Sequence, residues 1–138
     1  MIASRSTDSV VHVYSQDPAI DKDHPDFDWD RFKETGEMKY LPIKEGQTPT
    51  VFQIRRLTRR QFLKVIKSDD AEQFSEAVAY GLRGIKDWGA PVDLKFQGDG
   101  QERLHPDTLD RIFAVELFVE LGARIMELSR LAPLSKSA

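Results

Sequence analysis

The sequence predicts an α+β fold in which a long, mostly irregular N-terminal arm precedes a small domain of about three helices and a few short strands. Composition supports a folded chain, because 40% of the 138 residues are hydrophobic and 31% are charged, values typical of globular proteins. The local pattern changes near residue 50, where a polar, acidic stretch gives way to strand and helix patterns. We therefore predict an extended acidic arm over residues 1–49 and an α+β helical domain over residues 50–138.

The predicted arm contains one candidate strand, VVHVY over residues 10–14, because β-branched and aromatic residues favour extended backbone. Its other hydrophobic residues stand singly among polar ones, and four prolines interrupt it. A long segment with little regular structure is usually an interaction arm or disordered. Isolated hydrophobic side chains suit docking onto a surface, either on the chain's own domain or on a neighbouring subunit. We expect a chain that begins at residue 47 to fold but not to assemble.

The domain begins with TVFQIRRL over residues 50–57, where alternating polar and apolar residues predict a strand. A helix start follows in LTRRQF, where Thr58 and Gln61 have the spacing of a capping box. The hydrophobic pair that flanks this cap, Leu57 and Phe62, occupies the two positions of a hydrophobic staple.

The first helix is predicted to end near Lys67, and Asp69 then caps a second helix, DAEQFSEAVAYGLRGIKDW, that stops at Gly89. Its apolar stripe comprises Phe74, Ala77, Val78, Leu82 and Ile85. A short strand is predicted in VDLKF over residues 92–96, and QGDGQ over residues 97–101 supplies the turn chemistry of a hairpin or loop.

The last and longest helix is predicted from about Pro106 to Leu131, with the proline at a first helical position. At 100° per residue, four charged side chains share one narrow wedge of this helix and apolar residues cover the remainder. The wedge contains Glu116, Glu120, Arg124 and Glu127. Because an ordinary surface helix has an apolar stripe of roughly 100°, this helix should be covered on two sides. The cover is either the chain's own elements or, in part, another subunit.

Composition excludes several kinds of chemistry. The chain has no cysteine, which removes disulfides, thiol nucleophiles and cysteine-ligated zinc. The three histidines, His12, His24 and His105, do not have the spacing of a metal-binding motif. No pattern assembles a nucleophile, a base and an orienting group. We predict a non-enzymatic protein with no catalytic residue, no cofactor and no bound metal.

Charge and hydropathy argue against a general affinity for membranes or nucleic acid. The formal net charge of -3 gives no overall attraction to polyanions. No apolar stretch approaches the ~20 residues that span a bilayer, and the N-terminal residues lack the pattern of a cleaved signal. We expect a protein made and kept in a cytoplasm, with no membrane partner and with nucleic acid disfavoured as a partner.

The stretch DFDWDRFKETGE over residues 26–37 resembles a calcium loop at its coordinating places, which hold acidic residues. However, Arg31 stands where such a loop needs glycine for its sharp turn, and neither flank has a helical pattern. Phe27, Trp29 and Phe32 instead favour docking onto a surface. We interpret the stretch as an acidic arm with hydrophobic anchors, and a calcium-dependent module is the alternative.

The arm anchors and the basic cluster RRLTRR over residues 55–60 are the candidate partner-binding residues. They comprise Phe27, Trp29, Phe32, Tyr40, Leu41, Arg55, Arg56, Arg59 and Arg60. Aromatic anchors dominate many interfaces because each buries a large area at small conformational cost. The basic cluster has three open interpretations: a solvated face that pairs with acidic neighbours, a docking site for the acidic arm of the same or a neighbouring copy, or a nucleic-acid contact.

Three stretches carry a family resemblance. TPTVFQIRRLTRRQF resembles the strand-to-helix entry of small morphogenesis proteins of tailed bacteriophages, and ELGARIMELSRLAPLSKSA resembles their last helix and tail. GLRGIKDW is similar to a glycine–leucine pair before a tryptophan in the same proteins. The resemblance covers about residues 48–138 and extends to some tail assembly chaperones.

The resemblance implies an assembly protein that acts by binding and has no catalytic residues. Its partners would be other phage structural proteins, itself or both, within an oligomeric assembly in the host cytoplasm or the virion. Two roles are open within this class: a minor virion structural protein, and a tail assembly chaperone that leaves before the virion is complete. A small nucleic-acid-associated regulatory protein that uses the Arg55–Arg60 cluster is the alternative from another class.

Overall fold

The structure, a computed structural model, describes residues 9–87, 90–98, 102–111 and 115–137. The described strands are β1 (Ser9–Val13), β2 (Val51–Arg55), β3 (Leu82–Asp87), β4 (Ala90–Pro91), β5 (Phe96–Gln97) and β6 (Arg103–Leu104). The described helices are α1 (Trp29–Thr35), α2 (Arg59–Ile66), α3 (Asp70–Gly81), α4 (Pro106–Arg111) and α5 (Val115–Ser137), with a 3-10 turn at Met38–Tyr40. These helices and two small sheets confirm the predicted α+β class.

The larger sheet is antiparallel and has the strand order β1-β2-β3-β4. β1 pairs with β2 over its whole length, from Ser9 opposite Arg55 to Val13 opposite Val51. Alternate residues of a strand point to opposite faces of a sheet. The two faces of this sheet accordingly contribute to two separate hydrophobic clusters.

The main core lies on the face of the sheet that α3 and α5 cover. Its buried hydrophobic residues are Phe52, Ile54, Leu57, Val65, Ala77, Val78, Tyr80, Leu82, Ile85, Leu104, Leu121, Ile125 and Met126. The contact between α3 and α5 is very close, because a Cβ atom built on Gly122 would lie 2.8 Å from the Cα of Phe74. Real Cβ atoms essentially never approach another heavy atom below 3.0 Å, so only glycine fits this crossing.

The second predicted helix is wrong beyond Gly81, because residues 82–87 form β3 in the middle of the sheet. The register explains the error. Gln53 pairs with Gly84 whereas Ile54 pairs with Leu82, so Arg83 is an extra residue in a β-bulge. The bulge lets Leu82 and Ile85 both face the core although they are three residues apart, a spacing that in sequence resembles one helical face.

A second core packs residues of the N-terminal segment, defined as the described residues 9–49, against the other face of the sheet. Its buried members are Val13, Ile20, Phe32 and Leu41, and Val11, Phe27, Trp29, Tyr40, Ile43 and Val51 pack against them. Backbone contacts close the segment into a loop: Ile20 and Ile43 form an antiparallel bridge, and the Asp28 N–H donates to the Tyr40 carbonyl at 3.0 Å. The described residues 9–49 therefore pack on their own chain, and β1 matches the predicted strand at residues 10–14.

The start of α2 matches its prediction. The Thr58 hydroxyl accepts a hydrogen bond from the Gln61 N–H at 3.2 Å, and the Gln61 side chain accepts one from the Thr58 N–H at 3.0 Å. Leu57 is buried in the main core and Phe62 packs against the same cluster. At α3, by contrast, the predicted cap residue Asp69 makes no side-chain capping hydrogen bond.

Thr58→Ala is expected to lower the free energy of unfolding by about 1 kcal/mol, because the first turn of α2 loses its capping acceptor. Urea denaturation followed by circular dichroism measures this loss. Ser75→Ala, at an exposed position inside α3, is the control and should change stability by less than about 0.5 kcal/mol. Equal stability of wild type and Thr58→Ala would show that the cap contributes nothing.

The remaining elements complete the main core. β5 and β6 pair antiparallel, with Phe96 opposite Leu104, so the described strands form a hairpin, one of the two predicted outcomes, hairpin or loop. The strand predicted over residues 92–96 is wrong except at Phe96, since residues 92–95 are not in a strand. The alternation that predicted it arises because Val92, Leu94 and Phe96 all pack against the main core. The predicted last helix is described as α4 and α5, and residues 112–114 between them lie outside the described residues.

Within the described ranges, no helix is both long enough and apolar enough to span a membrane.

Candidate functional site

Helix α2 carries an exposed basic surface, which we call the α2 surface and define as Arg59, Arg60, Leu63, Lys64 and Lys67. The five side chains line a surface groove of about 460 Å³. At 100° per residue they lie on one side of the helix, opposite Gln61 and Val65, which are buried. The amphipathic character of α2 therefore turns these cations outward.

The charge of this surface is unbalanced. The α2 surface contains four cations, and residues 55–67 contain no acidic residue. Among the described residues, the side chains of Arg59, Arg60, Lys64 and Lys67 form no ion pair or hydrogen bond. Like charges four residues apart, such as Arg60 and Lys64, destabilise a helix by about 0.2–0.5 kcal/mol. An anionic partner would relieve this repulsion.

Two apolar side chains lie beside the cations of α2. Leu63 is 41% exposed and Ile66 is 42% exposed. Each directly precedes a lysine in the sequence. Binding of single-stranded nucleic acid relies on aromatic side chains on which bases stack. The α2 surface therefore combines four cations with an exposed apolar side chain and contains no aromatic residue.

The predicted basic cluster is only partly in this surface. Arg59 and Arg60 are exposed on α2, but Arg55 ends β2 and is half-buried, as is Arg56. The structure thus separates the four predicted arginines into two pairs. Lys64 and Lys67, which lie on the same side of α2 as Arg59 and Arg60, complete the surface instead.

The acidic stretch 26–37 forms a capped helix. An Asp28 carboxylate oxygen accepts a hydrogen bond from the Arg31 N–H at 3.1 Å, and Asp30 lies in the first turn, where negative charge favours the helix dipole. Gly36 ends α1 with a φ of 71°, a left-handed conformation that favours glycine. Helix capping therefore accounts for part of the acidic spacing that resembles a calcium loop.

The exposed carboxylates of this region form a second charged surface, which we call the acidic surface. It comprises Asp23, Asp26, Asp28, Asp30, Glu34 and Glu37. Residues 21–37 contain seven acidic residues against three lysines and arginines. In the part of the chain that the structure describes, no group of three or more His, Asp or Glu side chains is placed to hold a metal ion.

The structure places the predicted hydrophobic anchors in or beside the second core. Phe32 is 0% exposed and Leu41 is 1% exposed, so both lie inside the second core of their own chain and neither is available to a partner. Phe27, Trp29 and Tyr40 are half-buried at the edge of that core. The Lys39 ammonium nitrogen lies 5.2 Å from the Tyr40 ring centroid. The arm anchors hold the N-terminal segment on its own domain.

A partly buried polar cluster joins the N-terminal segment to α5. His12 is 2% exposed, and its Nε2 lies 2.8 Å from a carboxylate oxygen of Glu120. The N–H of Ser15 donates to the same oxygen at 2.8 Å, and the Ser15 hydroxyl donates to the other oxygen. The Trp29 ring meets the His12 ring edge-on, with centroids 5.8 Å apart. One carboxylate thus accepts three hydrogen bonds from the N-terminal segment.

The hydrogen bonds from His12 and Ser15 lower the pKa of the Glu120 carboxyl below its ordinary value. Partial burial of the carboxyl acts to raise its pKa, but the hydrogen bonds from His12 and Ser15 outweigh that effect and leave the pKa lowered. The adjacent Arg124 donates to the Lys33 carbonyl at the end of α1 and pairs with Glu127. The polar side of α5 therefore faces the N-terminal segment, while Leu121 and Ile125 face the main core.

Glu120→Gln is expected to lower the free energy of unfolding by about 1–3 kcal/mol at pH 7, because an amide cannot accept all three hydrogen bonds. The folded pKa of Glu120 is depressed, so its contribution is present above the unfolded pKa of about 4.3 and is lost as pH falls through the folded pKa. The stability difference between wild type and variant should therefore narrow in acid. Urea denaturation at pH 7 and at about pH 3 tests this expectation.

Glu116→Gln, one turn earlier on the exposed side of α5, is the matched control and should leave stability almost unchanged at neutral pH. If wild type and Glu120→Gln differ in free energy of unfolding by the same amount at both pH values, the assigned role of the carboxylate is contradicted.

The His12–Glu120 contact was not predicted. The alternation of VVHVY places His12 on the same side of β1 as Val10 and so indicates that it is buried. Glu120 belongs to the predicted polar wedge of the last helix. No sequence signal links the two residues, which are 108 positions apart.

Comparison of the chain with protein-family models, with curated proteins and with solved structures gave no match.

Proposed function

We propose that the chain is a non-enzymatic assembly protein of a tailed bacteriophage that acts through protein–protein contacts. The observation that carries the proposal is the α2 surface, where four cations without side-chain partners in the described structure surround exposed Leu63. Large charged and apolar groups that contribute little to the fold are typical of interaction surfaces. The phage context comes from the resemblance of residues 48–138 to small phage morphogenesis proteins.

The N-terminal segment has a supporting part in this proposal. Its hydrophobic residues fix it to the sheet, and its carboxylates are turned outward. The segment therefore offers a partner or neighbouring subunit a preformed acidic surface rather than a flexible arm. Binding by a preformed surface avoids the entropic cost of ordering a disordered segment.

Two experiments on the phage that encodes the chain test the proposal. Deletion of the gene is expected to stop particle assembly, and mass spectrometry of purified wild-type virions distinguishes the two roles. A virion structural protein stays in the particle, whereas a tail assembly chaperone is required for assembly but is missing from it. Normal particles without the gene would overturn the proposal.

The charge-reversal variant Arg60→Glu/Lys64→Glu tests the α2 surface within the same system. It should fail to restore assembly when it replaces the wild-type chain. Lys44→Glu/Lys86→Glu, which reverses two exposed cations elsewhere, is the matched control and should restore assembly. If both variants restore particle assembly, assembly does not depend on the α2 surface.

A nucleic-acid-associated regulatory role is the second candidate, and the concentration of six cations in residues 55–67 favours it. Fluorescence anisotropy with labelled single- and double-stranded DNA tests this role. Phosphate-driven binding falls steeply as salt rises and should weaken in Arg60→Glu/Lys64→Glu. We expect no such binding at physiological salt, and salt-sensitive binding that is lost in this variant would favour the second candidate.

A further inference from the structure

We propose that the α2 surface binds the acidic surface of a second copy of this chain, so that copies join head to tail. The inference rests on the proposed function, because it names the partner of the α2 surface. It uses two surfaces of one molecule that are opposite in charge and are both exposed.

Charge complementarity is the first argument. The α2 surface has four cations and no anion, whereas residues 21–37 have seven anions and three cations. The whole chain has a formal charge of only -3, so the charge is segregated rather than large overall. Complementary potentials steer two copies together and fix their orientation, whereas like surfaces repel.

The second argument is that the two surfaces do not meet within one chain. The contacts of the acidic surface are local: an Asp26 carboxylate oxygen lies 3.9 Å from the His24 Nδ1, and a Glu37 carboxylate oxygen lies 3.2 Å from the Lys39 Nζ. Among the described residues, no ion pair joins the acidic surface to Arg59, Arg60, Lys64 or Lys67. The N-terminal segment is held at β1 and α5 by its own core, so its carboxylates remain available to another molecule.

Apolar side chains favour a protein as the bound molecule. Leu63 and Ile66 are exposed on the α2 side, and Met38 is 37% exposed beside the carboxylates on the other side. Contacts between these side chains would bury hydrophobic area that a nucleic-acid backbone does not offer.

The geometry of such a contact is heterologous, because different patches of the two copies meet. A heterologous contact leaves one α2 surface and one acidic surface free at the ends, so association continues into a ring or an open filament. This outcome suits a protein that assembles in many copies.

Complementing variants provide the test. The basic-side variant, Arg60→Glu/Lys64→Glu, retains only its acidic surface. The acidic-side variant, Asp30→Lys/Glu34→Lys, retains only its α2 surface. Asp30 and Glu34 are four residues apart on α1 and both exposed, so they share one side of the helix. All chains are studied at full length by sedimentation velocity, and circular dichroism checks that each variant is folded.

Wild type is expected to show a mass that rises with protein concentration at low salt and falls in about 1 M salt, where the screening length is only about 3 Å. Each variant alone should remain a monomer, with self-association weakened at least about tenfold, because reversed charges face like charges. An equimolar mixture of the two variants should associate, because the intact acidic surface of one variant meets the intact α2 surface of the other. The control Lys44→Glu/Lys86→Glu should associate as wild type does.

A monomeric wild type at all concentrations, or a mixture of variants that fails to pair, would overturn the inference. Binding of labelled DNA by a monomeric wild type, lost in the basic-side variant, would assign the α2 surface to nucleic acid. If wild type is monomeric but the basic-side variant still blocks particle assembly, the proposed function stands and only the identity of the partner is wrong. If the gene is dispensable for particles, the proposed function fails whatever the sedimentation result.

Discussion

Phe32→Ala is expected to lower the free energy of unfolding of the whole chain by about 3–5 kcal/mol, the usual loss when a buried phenylalanine is removed. Phe32 is 0% exposed, and its ring centroid lies 5.6 Å from that of Trp29 and 6.5 Å from that of His12. The second core shares β1 and β2 with the main sheet. The loss should therefore appear in the unfolding of α3 and α5 and not only in the N-terminal segment.

Urea denaturation followed by circular dichroism at 222 nm measures this effect, because most of the helical signal comes from the main domain. Phe27→Ala is the matched control: Phe27 is half-buried at the edge of the same cluster, so its loss should cost clearly less. An unchanged midpoint for Phe32→Ala would mean that the N-terminal segment unfolds independently of the rest.

The same contacts change the expected result of truncation. From the sequence, we expected a chain that begins at residue 47 to fold by itself. In the structure, removal of the residues before 47 would expose the edge of β2 and leave Glu120 without the hydrogen bonds from His12 and Ser15. An exposed strand edge also promotes aggregation. We now expect such a truncated chain to be unstable.

Gly122→Val is expected to cost about 3 kcal/mol, at the upper end of the usual range for overpacking. A Cβ at this position would lie 2.8 Å from the Cα and 2.9 Å from the carbonyl oxygen of Phe74. These are main-chain atoms of α3, which cannot rotate away as a side chain can. The strain should outweigh the improved helix propensity of valine over glycine, which is less than about 1 kcal/mol.

Ala123→Val places the same side chain at the next position of α5, which is exposed, and should change stability by less than about 1 kcal/mol. Thermal denaturation of both variants beside wild type makes the comparison. A similar small effect at both positions would show that α3 and α5 do not pack closely at Gly122.

The elements that were predicted correctly have local causes. The capping box of Thr58 and Gln61 lies within four residues, and both partners are present in the structure. The alternation in residues 51–55 and 10–14 survives as β2 and β1 because each strand places one set of side chains in a core. Such features depend on neighbours in sequence, so a single sequence can reveal them.

The elements that were missed depend on distant residues. Leu82 and Ile85 have helical spacing, and only the pairing of β3 with β2 and the bulge at Arg83 turn them into strand residues. Phe32 and Leu41 looked like isolated anchors because their partners, Val13 and Ile20, are far away in sequence. At the candidate site, the sequence identified a basic cluster that includes Arg59 and Arg60. It could not show that Arg55 and Arg56 lie apart from them, because that depends on where β2 ends.

The 108-residue separation of His12 and Glu120 has a consequence for synthesis on the ribosome. At about 5–20 residues per second, the carboxylate follows the imidazole by roughly 5–20 seconds. The hydrogen bonds from His12 and Ser15 to Glu120 therefore form only after α5 has been made, whereas the second core uses only residues up to Val51.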